Sequence, residues 1–282
     1  MPDPTINDDT YCLDLVRRFD RDRYLTALLA PADRRADLLA LYAFNVEVAG
    51  TAERVHEPMI GLIRLQWWRD TLDGFAEGRV REHPVARGLA RAFARHGLPR
   101  GPFERLLAAR DRDLDALPPP SLAALEDYAE ATSAALVEIA LLILGAGVAT
   151  TAGREVGIAW ALTGLLRAVP FHAGQQRQYL PQDLMRDARV SSETLFAGRA
   201  GPALRPVVEG VATVARQHLA AARAARAGVS RAALPALLKA RLANVHLARL
   251  ERSGHDPFAP AFQAPLPSAA LRLVWGRALR RY

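Results

Sequence analysis

Apolar positions along this chain recur at helical spacing almost from end to end. Leu38, Leu41, Tyr42 and Val48 fall near one face of residues 34–48, and Pro31 stands just ahead. Asp33 and Asp37 occupy its early turns, where a helix N-terminus favours negative charge. A second helix is predicted over 59–77, after Pro58, with Ile60, Ile63, Trp67 and Leu72 on one face and Gly78 as its stop. Further helices are predicted over 84–95, closed by His96-Gly97 and Pro99, and over 102–117, closed by Pro118-Pro119-Pro120. Ser121 is an N-cap for a long helix reaching Leu144, with Gly145 ending it. Ala124 leaves out the reciprocal acid of a capping box. Residues 153–168 read as helix up to a break or kink at Pro170, and 171–190 as irregular. Two more helices, 202–227 and 234–250, are parted by Gly228 and Ser230. A proline-rich loop, 257–267, then leads to a short helix from Ser268. No segment alternates as a strand does, and there is no internal repeat or long linker. The expectation is one all-α domain over residues 1–282, with residues 1–10 as a disordered tail.

Composition supports this reading. Half of the 282 residues are apolar, enough for a substantial core, and alanine, leucine and arginine favour helix. The apolar run 134–149 is interrupted by Glu138, Gly145 and Gly147. It falls short of the ~20 apolar residues of a spanning helix and reads as a core helix. A net charge of +7 and a pI near 10.2 raise nucleic acid or an anionic membrane as partners. However, Lys239 is the only lysine, and the arginines are interleaved with acids, as in Arg110-Asp111-Arg112-Asp113. With no basic run and no aromatic-basic alternation, the pattern reads against nucleic acid. Cys12 is the only cysteine, which leaves no disulfide within the chain and no multi-cysteine zinc site. The acidic, polar first ten residues are unlike a signal or transit peptide. The expected location is the cytoplasm, with peripheral contact at the inner membrane as an extension. The final helix sets Leu271, Val274 and Trp275 against Arg272, Arg277, Arg280 and Arg281. It is expected to face its own core, with membrane contact as the alternative.

Common catalytic patterns are absent. There is no glycine-rich phosphate loop, no Gly-x-Ser-x-Gly elbow and no His-Glu-x-x-His, and the seven histidines are scattered. Asp111, Asp113 and Asp115 are two residues apart, so a helix would point them to different sides, and they read as a solvated acidic stretch. Trp67-Trp68 reads as a packing pair, with Trp67 on the face of Ile60 and Ile63, and Arg64 and Arg69 as surface charges.

Three segments in order carry more information. The first is Tyr24-Leu25-Thr26-Ala27-Leu28-Leu29-Ala30-Pro31, then Arg34-Arg35, leading into Leu41-Tyr42-Ala43-Phe44. The second is residues 102–114 followed by Leu125-Glu126-Asp127-Tyr128. The third is Thr163-Gly164-Leu165-Leu166-Arg167, running to Arg177-Gln178-Tyr179-Leu180-Pro181. Together they resemble the squalene/phytoene synthase family. The resemblance implies an isoprenoid-synthase-like helical bundle around a central cavity, in which two aspartate-rich motifs hold magnesium ions on prenyl diphosphates. Carried onto this chain, the first motif's paired aspartates fall on Ala49 and Gly50, and only Glu53 keeps a carboxylate. The second motif's aspartates fall on Ala168 and His172, with Pro170 between them, and an N-terminal phosphate contact falls at Asp22-Arg23.

Magnesium requires hard oxygen ligands and supplies the leaving-group stabilisation, so this set predicts no catalytic residue, no metal and no cofactor. Glu53, Arg167, Gln176, Arg177 and Tyr179 remain as candidate phosphate- or ligand-binding remnants, with structural packing as the alternative. The runs Ala43-Phe44-Asn45-Val46-Glu47, Ile60-Gly61-Leu62-Ile63-Arg64-Leu65-Gln66-Trp67-Trp68 and Leu166-Arg167-Ala168-Val169-Pro170-Phe171-His172 resemble one branch of the family most. That branch comprises the non-catalytic, synthase-like assembly factors of respiratory complex I. It implies a pseudoenzyme acting as an assembly or scaffold factor, with complex I subunits as partners. An isoprenoid or lipid in the cavity, peripheral membrane contact and no nucleic acid complete the expectation. The alternatives are a prenyltransferase with an atypical, aspartate-poor site, for which magnesium would be the cofactor, and a lipid or quinone-like carrier.

Overall fold

The computed structural model describes residues 7–55, 57–115, 117–147 and 151–282. Residues 1–6 of the expected tail, His56 and the end of the apolar run at 148–149 lie outside them. The chain opens with α1 (Asp8–Phe19), capped by the Asn7 side chain, and α2 (Arg21–Leu28). Residues 8–10, expected to belong to a disordered tail, are the first turn of α1. Asp8 and Asp9 there receive Arg87 and Arg91 from α6, which lowers the Asp8 carboxyl below its usual range through the Arg87 hydrogen bond.

Then come α3 (Ala32–Ala49), α4 (Thr51–Arg54), α5 (Pro58–Ala76), α6 (Pro84–His96) and α7 (Arg100–Arg112). The helix expected from Ser121 is three pieces: α8 (Leu122–Ala129), a π-helical turn (Glu130–Ala134) and α9 (Ala135–Ile143). The Ser121 hydroxyl does accept from the Ala124 amide, and Gly145 takes the left-handed conformation. Next, α10 (Thr151–Gly174) runs through Pro170 instead of breaking there, so part of the stretch expected as irregular is helical. The remainder holds α11 (Gln182–Asp187), followed by α12 (Ser192–Phe196) and α13 (Arg205–Ala224). The chain finishes with α14 (Leu234–Leu237), α15 (Lys239–Arg252), α16 (Pro260–Gln263) and α17 (Ala269–Ala278). Among the described residues there is no strand, and the architecture is the all-α bundle that the periodicity predicts.

Two helices form its centre. On α3, nearly every residue from Asp37 to Val48 is buried. Phe44 meets Trp68 and Phe103 edge-on, with ring centroids 4.9 and 5.5 Å apart. Helix α10 is long and apolar enough to cross a membrane by composition, yet it is packed against α13, α15 and the π turn. His218 of α13 ties these elements together, between Glu155 of α10 at 2.5 Å and Glu126 of α8 at 2.9 Å. Lys239 is fully buried, its Nζ 5.7 Å from the Tyr42 ring centre, and burial pushes its pKa well down.

Helix α5 differs from the expected register. It buries Gly61, Leu65, Trp68 and Leu72, while Met59, Ile60, Leu62 and Ile63 are exposed. The cause is close approach, since a Cβ on Gly61 would fall 2.3 Å from Leu114 Cδ2. Docking through the glycine rotates the helix, so Trp68 is the core tryptophan and Trp67 lines a surface cleft beside His83.

Gly157 of α10 is packed just as closely, because a Cβ there would stand 2.4 Å from the Cα of Ala134 in the π turn. Gly157→Ala is therefore expected to cost about 1–3 kcal/mol through overpacking, read from the guanidinium denaturation midpoint. Gly164→Ala, on the same helix with open space at its Cβ, is the control and should be neutral or stabilising by up to about 1 kcal/mol.

Candidate functional site: a cavity without a metal cluster

The end of α3, the short α4, the α1–α2 junction, the π turn and the middle of α10 enclose a cavity of about 340 Å³. Ala49, Gly50 and Glu53 line it, together with Phe19, Asp20, Arg23, Asn45, Arg54, Arg110, Tyr128, Thr132, Ser133, Trp160 and Gly164. The π turn delivers Thr132 and Ser133 here. Such turns insert an extra residue into a helix and are frequent at functional sites. Thr132 donates to the Tyr128 carbonyl at 2.7 Å, while the buried Ser133 Oγ has no partner among the described residues.

Three arginines and two carboxylates line the cavity. Arg23 pairs with Asp20, and Arg110 pairs with Asp113 at 3.0 Å. A Cβ placed on Gly50 would meet the Arg54 guanidinium at 3.0 Å, so a cation occupies the space into which a side chain at position 50 would grow. Glu53 and Asp20 are the carboxylates on the lining. Among the described residues no three His, Cys, Asp or Glu side chains converge to hold a metal. Two separated carboxylates, one already paired with arginine, do not fit the oxygen cage that magnesium prefers. The residues present therefore do not suit a magnesium cluster, and no chemical step is assigned to one.

One wall is a buried polar network. Arg110 Nη1 donates to the Tyr128 hydroxyl at 2.5 Å and to Asp113. The Tyr128 and Tyr179 hydroxyls donate to the two oxygens of Asp113 at 3.0 and 3.1 Å. Burial raises both phenol pKa values, which keeps both as donors. The expectation that Asp111, Asp113 and Asp115 are a solvated stretch is corrected here. Helix α7 ends at Arg112, so Asp113 turns inward and is buried, and Asp111 pairs with Arg69 at 2.6 Å. Arg69 is thus a half-buried link between α5 and α7 and not a free surface charge.

The five candidate remnants are dispersed. Glu53 is on the cavity lining. Arg167 reaches Asp22 at 3.4 Å and does not line the cavity. Gln176 is exposed, with a φ of 55°. Arg177 donates to the carbonyls of Asp113 and Ala52 at 2.8 and 3.0 Å, strapping α4 to the end of α7. Tyr179 is committed to Asp113. Neither Ala168 nor His172 lines the cavity. His172 stacks on Tyr179, with ring centres 4.6 Å apart, and burial pushes its pKa down to about 4 against the pull of Asp113. Sequence reasoning missed Arg54 and Arg110. The Arg110–Asp113 spacing was the available signal, but the tyrosine partners come from 15 and 66 residues further on.

The profile described as squalene/phytoene synthase matches residues 16–274. The chain belongs to the squalene/phytoene synthase family. This member is 35% identical over 257 residues to the NADH dehydrogenase (ubiquinone) complex I, assembly factor 6 of Bos taurus, covering 90% of this chain and 77% of that one. It is 29% identical to the assembly factor 6 homolog of Drosophila melanogaster, over 96% and 84% of the two chains. It is 26% identical to a presqualene diphosphate synthase of Rhodopseudomonas palustris, over 71% and 72%. Among solved structures, a dehydrosqualene synthase superposes with a TM-score of 0.82 at 21% identity, over 97% of this chain and 96% of that one. The squalene synthase HpnC from Alicyclobacillus acidocaldarius superposes with a TM-score of 0.79 at 20% identity, over 89% and 95%. This family member thus keeps the synthase fold.

Asp113→Ala should leave the Arg110 guanidinium buried and uncompensated, a loss of about 3–5 kcal/mol by denaturant titration. His172 gives a pH dependence of known sign. Its folded pKa of about 4 lies below the ordinary 6.5, so the unfolded chain binds the extra proton between those values. Stability conferred by the neutral ring is full above pH 6.5 and is lost as pH falls towards 4. Glu47, pushed up to about 7 by burial, acts in the opposite sense over the same range, so the comparison must be between variants. Relative to His172→Gln, the wild type should lose up to about 3 kcal/mol between pH 7 and pH 4 in parallel chemical melts.

Proposed function

We propose that this protein is a catalytically silent member of the synthase fold that serves as an assembly or scaffold factor for respiratory complex I. The observation that carries the reading is at the first motif, where Ala49 and Gly50 stand and the Arg54 guanidinium packs against Gly50. A cation there opposes the binding of a second cation, so the leaving diphosphate would lack the metal that draws off its charge. The relatives that bear the assembly-factor name supply the class of role. Such a role places the chain against a membrane face, where complex I subunits would be its partners.

A second reading concerns the cavity. Arg23 Nε, Arg110 Nε and Ser133 Oγ are buried donors with no partner among the described residues, and Arg54 adds charge beside them. Such a set grips an anionic headgroup by charge-assisted hydrogen bonds without metal. An isoprenoid diphosphate or lipid would then be a bound effector, not a substrate.

Deletion in the source organism should lower assembled complex I, and the tagged chain should co-purify with its subunits. Turnover of farnesyl or geranylgeranyl diphosphate by the purified chain with magnesium would overturn the silent-enzyme reading in favour of the atypical transferase. For the cavity, geranylgeranyl diphosphate should bind with equal affinity with and without magnesium, and Arg54→Gln should weaken it about tenfold by calorimetry. An absence of binding at millimolar ligand would remove the second reading.

A further inference from the structure

The positive charge is distributed unevenly in a way that composition hides. Through the first 154 residues many exposed arginines reach carboxylates, as Arg91 does to Asp9, Arg95 to Asp37, Arg105 to Glu138 and Arg154 to Glu130. Arg216 still reaches Glu251 on α15, but at the cleft beside α17 the pattern stops. Arg223, Arg226, Arg241, Arg272 and Arg281 line one cleft of about 390 Å³ beside α17, and no side-chain carboxylate lines it with them. Their hydrogen bonds go to neutral acceptors: Arg223 to Asn244, Arg226 and Arg241 to main-chain carbonyls, and Arg272 to Ser268. Arg241 Nε is buried with no partner among the described residues.

Beside this cleft, α17 has two apolar faces. One docks inward through Ala269, Leu273 and Gly276, and a Cβ on Gly276 would stand 2.7 Å from Leu238 Cδ2. The opposite face carries Leu271, Val274, Trp275 and Leu279, all more than half exposed, at the i, i+3, i+4, i+8 spacing of a single stripe. The helix is therefore seated on its own core, as expected, and still presents the stripe outward.

We propose that α17 and the adjoining arginine cleft form a docking surface for an anionic lipid bilayer. The stripe would enter the headgroup boundary, with Trp275 at the interface, and the arginines would hold lipid phosphates. Charge complementarity selects this occupant. Five guanidiniums with no side-chain carboxylate among them, beside the main-chain end at Tyr282, call for a dense anionic partner, and nucleic acid has no apolar phase to receive Leu271, Val274 and Leu279. A helix lying in the interface plane buries such a stripe and keeps its arginines at the phosphates. This inference deepens the membrane placement proposed above and rests on it.

The test is co-sedimentation of the full chain with vesicles of phosphatidylcholine alone or with about 30% phosphatidylglycerol, a fraction that brings the surface potential into the range of anionic leaflets. Binding should require the anionic lipid and weaken with added salt. Arg272→Gln and Arg281→Gln should each lower vesicle affinity about fivefold, and Trp275→Ser about tenfold, with thermal melts unchanged because all three side chains are exposed. Equal binding to neutral vesicles, no binding to anionic ones, or unaltered binding by the variants would overturn the proposal. So would Trp275→Ser converting a dimer to a monomer, or abolishing co-purification with an acidic protein, while vesicle binding persists. Absence of anionic-vesicle binding by the wild-type chain, while its deletion still lowers assembled complex I, would sink this surface alone. Intact vesicle binding with no assembly phenotype would sink the assembly role alone.

Discussion

A charge that cannot be left alone in the interior organises this molecule. Arg110 sits at the end of α7, deep in the bundle, and is tolerable there only because Asp113 and the Tyr128 hydroxyl stand on it. Asp113 is satisfied in turn by Tyr179, whose segment is fixed by Arg177 reaching back to the carbonyls of Asp113 and Ala52. One buried ion pair thereby joins α4, α7, α8 and the segment after α10. The cavity wall is a by-product of that closure, held by side chains from four parts of the chain.

The cavity around Ala49 and Gly50 is filled electrostatically and not left as a gap. Gly50 carries no side chain, and the Arg54 guanidinium packs into the space where one would stand. Burial favours the neutral form of His172, whose ring lies tilted against Tyr179 outside the cavity. The lining sets three arginines and the unpartnered Ser133 hydroxyl beside two carboxylates. Such a surface favours anions over divalent cations.

Much of this was legible in the chain. Helix existence followed from apolar spacing, and the helix starts at Pro84 and Ser121 and the left-handed stops at Gly97 and Gly145 came from local chemistry. Ala49 and Gly50, singled out from their flanking residues, do line the cavity. What was not legible depends on distant partners. The register of α5 was set by Leu114 against Gly61, and the burial of Asp113 by Tyr179, neither of which leaves a local signal. Pro170 stays inside α10, since a proline removes only one donor and tertiary packing holds the remaining turns. The π turn at Glu130–Ala134 has no sequence mark in its propensities, though it carries Ser133 into the cavity.

Lys239 has a consequence for the surface as a whole. It is the only lysine, and it is wholly buried against Tyr42. The exterior therefore presents no side-chain amine, and its fixed positive charge is all guanidinium, which does not titrate in the biological range. Acetylation, ubiquitin attachment and amine-directed cross-linking all lack a lysine to act on in the folded state. Whatever regulates the lifetime or contacts of this protein has to read arginines, acids and exposed apolar faces.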